Sequence, residues 1–196
     1  RVGSAPGRTS EAVDVPEVFT HARSRERAWQ RVEQLRPLIE PILREEGVPA
    51  ELAAVVLIES GGQITALSPK GARGIWQFMP DTARRYGLRV ELGTDERLDV
   101  LKSTRAAARY LSDLYRRFQN WPLALAAYNA GEDAVGRAVD KARRADFASI
   151  RSLLPFETRN YVPAVLSAMG QASSLRPAQL LASSSRHVLY AAANFD

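Results

Sequence analysis

The run Leu52-Ala53-Ala54-Val55-Val56-Leu57-Ile58 is apolar without a break, and it ends on Glu59-Ser60-Gly61-Gly62. A run with no polar face has to lie inside the molecule, whatever its secondary structure. Pro49 suits the opening turn of a helix and the glycines supply a stop, so the spacing predicts a helix running to Ser60. A carboxylate therefore stands at the end of an internal helix. Burying an unpaired charge is costly, so such a group finds a partner or its pKa rises until it holds a proton near neutral pH. A protonated carboxyl beside a chain opened by two glycines is fit for general-acid chemistry, as in glycoside cleavage by a carboxyl in an apolar pocket. The competing reading is a helix-end Glu that turns to solvent where Gly61 stops the helix.

The rest of the chain punctuates in the same way. Residues 1–23 carry Gly, Pro, Ser and scattered charge without periodicity and read as a loose lead-in. Ser24 is expected to cap a helix through Ala28, Trp29, Val32 and Leu35. Pro37 should then force a restart, with a second segment through Leu38, Ile39, Ile42 and Leu43 stopping at Gly47. Residues 61–74 are loop. Pro80-Asp81-Thr82 opens a short helix closed by Gly87, and Asp99 precedes a long one; both aspartates read as helix-start residues, a cap being worth about 1 kcal/mol. In the long helix Ala107, Tyr110, Leu111, Leu114, Tyr115 and Phe118 share one face.

Pro122 opens Leu123-Ala124-Leu125-Ala126-Ala127-Tyr128, apolar nearly all round and therefore internal. Helices over 132–143 and 158–168 follow, the second expected to bend at Pro163. Residues 171–196 form an Ala- and Ser-rich extension in which His187-Val188-Leu189-Tyr190 reads as a strand or a docked segment. Sustained period-two alternation is missing, so the fold class is mainly α: one domain over 24–170, short helices around a central apolar one.

Composition removes several kinds of chemistry. Without cysteine there are no disulfides, thiolate nucleophiles or cysteine-based metal sites, and the two histidines, His21 and His187, lie far apart. No metal and no cofactor is expected. The net charge of +5 favours an anionic partner: nucleic acid, anionic lipid or a carboxylate-bearing cell-wall polymer. Arg and Lys are dispersed along helices rather than clustered with aromatics, which argues against nucleic acid. The longest apolar run is too short for a transmembrane helix. The chain opens at Arg1 without an export-signal pattern, and reads as a processed product or an excised fragment.

Three further segments place amide, hydroxyl and carboxyl groups among apolar ones beside Gly or Pro. They are Ser68-Pro69-Lys70-Gly71-Ala72-Arg73-Gly74-Ile75-Trp76-Gln77-Phe78-Met79-Pro80, Ala126-Ala127-Tyr128-Asn129-Ala130-Gly131, and Leu154-Pro155-Phe156-Glu157-Thr158-Arg159-Asn160-Tyr161-Val162-Pro163. A sugar-binding cleft needs this mixture of fixed polar groups and flat apolar surface. Singly, Gln77 and Asn129 could be satisfied buried amides or helix caps, and Trp76, Phe78, Met79 and Tyr128 could be core packing.

In order, with Glu59-Ser60, these blocks resemble the lytic transglycosylases of the soluble-lytic-transglycosylase type, over roughly residues 28–169. The resemblance implies a lysozyme-like, mainly α domain that cleaves the glycan of peptidoglycan without water. Glu59 would protonate the oxygen between N-acetylmuramic acid and N-acetylglucosamine, then take the proton of the muramyl 6-hydroxyl as that oxygen closes onto C1. It also implies a cleft made of Ser60, Ser68, Gln77, Met79, Tyr128, Asn129, Glu157 and Tyr161, with Tyr161 beside Glu59. Glu157 has a second explanation as an acidic residue at a helix start. One departure is plain: Gly62-Gln63-Ile64 stands where the family commonly has an aromatic residue followed by Asn-Pro. The partner implied is peptidoglycan, the setting a bacterial cell envelope (periplasmic or outer-membrane associated), and the expected state a monomer. Two alternatives are a goose-type, lysozyme-like hydrolase of the same bond, which would need a water and usually a base to activate it, and a non-catalytic peptidoglycan-binding domain.

Overall fold

The computed structural model describes residues 22–174. The segment 187–190 and nearly all of the lead-in lie outside the described residues.

Helix α1 spans Ala22–Glu45 in one piece, with Pro37 and Pro41 inside it. Two expectations are corrected. Ser24 lies within the helix rather than capping it, and Pro37 forces no restart. An interior proline costs about 3 kcal/mol, but the stripe Ala28, Val32, Leu35, Ile39, Ile42 and Leu43 runs buried past both. Each of its larger aliphatic side chains returns about 1.5–3 kcal/mol on burial, so an unbroken stripe outweighs the prolines. Arg36 and Glu40, both buried, also pair across Pro37 at 3.0 Å.

A 3-10 turn at Ala50–Ala53 leads into α2, Ala54–Ser60, and Leu52 to Leu57 are buried as the apolar run requires. The short α3, Pro80–Arg85, starts from Met79 as its N-cap. Asp81 therefore does not cap it; in its first turn it pairs instead with Arg84. Asp99 does cap α4, Val100–Phe118, accepting from the Leu101 and Lys102 amides at 3.0 and 2.9 Å. Helix α4 buries Ala107, Tyr110, Leu111 and Leu114, with Tyr115 and Phe118 packed at the margin. It packs on α1 and on α5, Trp121–Ala130, which is buried from Trp121 to Ala127. Then come α6 (Glu132–Ala142), α7 (Phe147–Ile150) and α8 (Phe156–Ser174), the last with Pro163 inside it and longer at both ends than its sequence signal. Helix α8 packs against both α2 and α5, and this meeting of three helices sets up the site.

The class is mainly α, as expected. The hairpin of β1 (Val90–Glu91) and β2 (Thr94–Asp95) has no signal in the sequence, because two-residue strands are too short to show alternation. It presents Asp95 to the buried Arg97, whose Nε and Nη2 each donate to that carboxylate at 2.8 Å. The Arg97 guanidinium holds the Asp95 carboxyl down at about 2. Arg97 Nη1 then donates to the carbonyls of Gly71 and Phe78 at 2.9 and 3.0 Å. Gly74 closes the brace: its φ is +80°, and a Cβ there would stand 2.0 Å from the Arg97 carbonyl oxygen. The loop between α2 and α3 is thereby fixed to the body of the domain.

Candidate active site

Glu59 is the last residue but one of α2. The helix stops because Gly61 takes a left-handed conformation, and Gly62 follows at φ +75°. A Cβ on Gly62 would approach the Arg31 Cβ to 2.9 Å, while Arg31 Nε donates to the Gly61 carbonyl at 2.8 Å. The end of α2 is thus pressed onto α1, and Glu59 is carried to a fixed point between α2 and α8.

The Tyr161 hydroxyl, from α8, donates to Glu59 Oε1 at 2.7 Å. Oε2 has no hydrogen-bond partner among the described residues, and Glu59 as a whole is half-buried. Burial pushes the Glu59 carboxyl up to about 7; the bond from Tyr161 pulls the other way, and the negative charge of Glu157 adds to the rise. Burial and the neighbouring Glu59 drive Tyr161 well above its ordinary range, so its hydroxyl keeps its proton and stays a donor. The result is a carboxyl close to balance between its two protonation states, one oxygen tethered and one open.

The other residues singled out in the sequence fall into two groups. Tyr128, Asn129, Glu157 and Tyr161 gather where α5 meets α8. Tyr128 donates to the Trp76 carbonyl at 2.8 Å, and burial together with the Glu59 charge raises its pKa well above the ordinary range. Asn129 Nδ2 donates to Glu157 Oε1 at 3.3 Å, and Asn129 Oδ1 accepts from the Thr158 hydroxyl at 2.7 Å.

Ser60, Ser68, Gln77 and Met79 belong to the end of α2 and the braced loop. The buried Ser60 hydroxyl lies 3.1 and 2.9 Å from the carbonyls of Val56 and Ile75, either of which takes its proton, and it accepts from the Gly62 amide at 3.2 Å. That hydroxyl joins α2 to the loop, its proton and one lone pair both engaged within the protein. Ser68 Oγ accepts from the Ala72 amide at 3.0 Å, which leaves its own proton without an acceptor among the described residues. Gln77, at φ +50°, donates through Nε2 to the carbonyls of Gly74 at 2.8 Å and Ala66 at 3.4 Å. Its Oε1 has no partner among the described residues. Met79 is 43% exposed, whereas Trp76 and Phe78 are buried core residues. Core packing is therefore the right account of Trp76 and Phe78.

Two contributors escaped notice in the sequence. The Trp76 carbonyl orients Tyr128, and Trp76 itself is held by its Nε1 donating to Thr104 at 2.9 Å. Thr158 is the other; its position beside Glu157 in the third segment was the only signal. No group of three metal-ligating side chains occurs among the described residues, and no described helix is long and apolar enough to cross a membrane.

Comparisons with known proteins bear on the family and the fold. The family model for the transglycosylase SLT domain matches residues 37–150. Membrane-bound lytic murein transglycosylase D of Escherichia coli (strain K12) is 40% identical over 129 residues, covering 63% of this chain and 28% of that protein. A protein from Alteromonas sp. (strain M-1) named for tributyltin chloride resistance is 34% identical over 146 residues, 72% of this chain and 70% of its own length. Among solved structures, an inactive mutant of the lytic transglycosylase Slt from Pseudomonas aeruginosa superposes with a TM-score of 0.56 at 29% identity, covering 80% of this chain and 25% of that one. The 70 kDa soluble lytic transglycosylase of Escherichia coli gives a TM-score of 0.64 at 24% identity over 78% of this chain and 29% of that one, a likeness of fold. This chain thus spans between a quarter and a third of the transglycosylase D relative and of both solved structures.

Proposed function

The chain belongs to the transglycosylase SLT domain family, and on that footing we propose that it cleaves the bond between N-acetylmuramic acid and N-acetylglucosamine in peptidoglycan without water, leaving 1,6-anhydromuramyl ends. The observation that carries the reading is Glu59 itself: a carboxyl raised to about 7, tethered by Tyr161 and open at its second oxygen.

In the first step the protonated Glu59 gives its proton to the glycosidic oxygen as the bond from that oxygen to the muramyl C1 breaks. The departing N-acetylglucosamine leaves with a 4-hydroxyl. The substrate's own N-acetyl group stabilises the electron-poor C1, so no second carboxylate is needed as nucleophile. In the second step the Glu59 carboxylate takes the proton of the muramyl 6-hydroxyl while O6 bonds to C1. Glu59 ends protonated, as it began. A group poised near neutrality serves both steps, since it neither clings to its proton nor refuses one.

Around it, Ser68, Gln77 and Asn129 supply hydrogen bonds to the acetamido and hydroxyl groups, and Met79 and Tyr128 line the sugar site. Glu157 completes the wall on the α8 side, and Ser60 acts by holding the end of α2. Residues 24–170 form the catalytic domain, which acts as a monomer in the bacterial cell envelope.

Mass spectrometry of purified peptidoglycan incubated with the protein tests the reading. Anhydromuramyl products that take up no oxygen from labelled water are expected. Reducing muramyl ends carrying that label would make the enzyme a hydrolase, and unchanged glycan would make it a binding domain.

A further inference from the structure

Thr158 is 1% exposed in the first turn of α8. A helical threonine commonly returns its hydroxyl to a carbonyl one turn back along its own helix. Here the carbonyl four residues back, that of Leu154, accepts instead from Arg159 Nε at 2.8 Å. The Thr158 hydroxyl crosses to α5 and meets Asn129 Oδ1 at 2.7 Å, a short contact between two helices.

We propose that Thr158 is a positioning residue for the reaction: its buried hydroxyl fixes which way round the Asn129 amide sits, so that one Nδ2–H is kept on Glu157 and the other is kept for the saccharide. The inference rests on the function proposed above.

The two ends of an asparagine amide are nearly the same size, so shape does not choose between them; hydrogen-bond chemistry does. The hydroxyl proton of Thr158 calls for the oxygen, and the carboxylate of Glu157 calls for the NH2, which it meets at 3.3 Å. Reversed, Oδ1 would face the carboxylate, and although the Thr158 oxygen could accept an N–H, its own buried proton would lose the acceptor it has now among the described residues. The two partners therefore enforce one orientation together, and Thr158 is the buried one, which substrate and solvent do not disturb. Nδ2 carries two hydrogens and Glu157 takes one. The second has no acceptor among the described residues, and Asn129 is half-buried at the face where α5 meets α8. A sugar hydroxyl or an acetamido carbonyl is the kind of acceptor that would complete it.

The test compares Thr158→Val, which keeps the shape and removes the hydroxyl, with Thr158→Ser, which keeps the hydroxyl. The first readout is the side-chain NH2 signal of Asn129 in the 15N NMR spectrum, assigned by its loss in Asn129→Ala. It should move in Thr158→Val and stay in place in Thr158→Ser. The second readout is formation of anhydromuramyl product. Thr158→Val should lower kcat/KM about tenfold, Thr158→Ser should restore most of it, and Thr158→Val should cost nothing further in an Asn129→Ala background. Thr158→Ala carries the same expectations if Val is not accommodated. An unmoved Asn129 signal, equal losses in the Ser and Val variants, or additive losses with Asn129→Ala would overturn the inference. Wild-type protein that forms no anhydromuramyl product would defeat the functional reading alone, and the NMR comparison would still decide whether Thr158 orients Asn129.

Discussion

Replacing Glu59 by Gln should abolish turnover and, above neutral pH, make the protein more stable. The folded state holds the Glu59 proton up to about 7, against an ordinary value of 4.5. Between those values the unfolded chain has released a proton that the folded chain keeps, so folding becomes less favourable as pH rises, and the loss levels off above 7. The gap of about 2.5 units corresponds to roughly 3 kcal/mol. Gln carries no charge to desolvate. Its oxygen can still accept from Tyr161, and its NH2 takes the place of the unpartnered Oε2 on a half-buried residue. The variant should therefore match wild type near pH 4 and exceed it near pH 8 by about 3 kcal/mol, or about 6–12 °C in Tm for a domain of this size. Thermal unfolding followed by circular dichroism in steps across that range measures the difference, which should open between about 4.5 and 7. A difference that is flat with pH, or a Gln variant less stable near pH 8, would refute the reasoning, because the Glu59 charge would then be buried at no cost.

Other substitutions probe the surroundings. Tyr161→Phe removes the donor that favours the charged form of Glu59, so the high-pH limb of kcat/KM should move to higher pH, and the rate should fall roughly tenfold. An unchanged profile, with loss appearing only in Tyr161→Ala, would assign Tyr161 to packing. Gln77→Ala should lower both activity and stability, the latter by about 1 kcal/mol, because its Nε2 also holds two loop carbonyls; activity per folded molecule separates the two effects. Gly74→Ala should cost on the order of 3 kcal/mol or more, read as a fall in Tm, because the new Cβ would lie 2.0 Å from the Arg97 carbonyl oxygen.

Most of the fold was legible because its helices announce themselves by apolar pattern and by punctuation. The all-apolar runs before Glu59 and after Pro122 became α2 and α5, both internal. The amphipathic face through Tyr110 and Leu114 became α4, capped by Asp99 as its position suggested. Local rules failed where distant contacts overrode them. Pro37 looked decisive as a breaker, yet the buried stripe on either side belongs to a single face packed against α4 and α2, and packing won. Ser24 is a plausible cap only for a helix that starts there, and α1 is already helical at Ala22. The brace from Arg97 to Asp95, Gly71 and Phe78 gave no sequence signal, since it depends on a hairpin of two-residue strands.

The site was legible in kind more than in arrangement. Glu59 could be singled out from one stretch, because a carboxylate closing an apolar run is anomalous wherever it occurs. Its partner could not be found that way: Tyr161 lies 102 residues on, and nothing local distinguishes a tyrosine that bonds a carboxyl from one that only packs. The resemblance to a family supplied that link, and the 2.7 Å contact gives it a physical form. Ser60 and Gln77 show the opposite limit. Hydroxyl and amide groups recognise sugars and brace loops with the same hydrogen bonds, so residue type alone does not assign them. Ser60 spends its proton and one lone pair inside the protein, and Gln77 spends the donor half of its amide. The consequence is a division of labour that follows from counting donors and acceptors. Among the described residues, the capacity left unspent at the site includes Glu59 Oε2, the second carboxylate oxygen of Glu157, the Gln77 amide oxygen, the Ser68 hydroxyl proton and one Asn129 N–H, and that unused capacity is what a saccharide would meet.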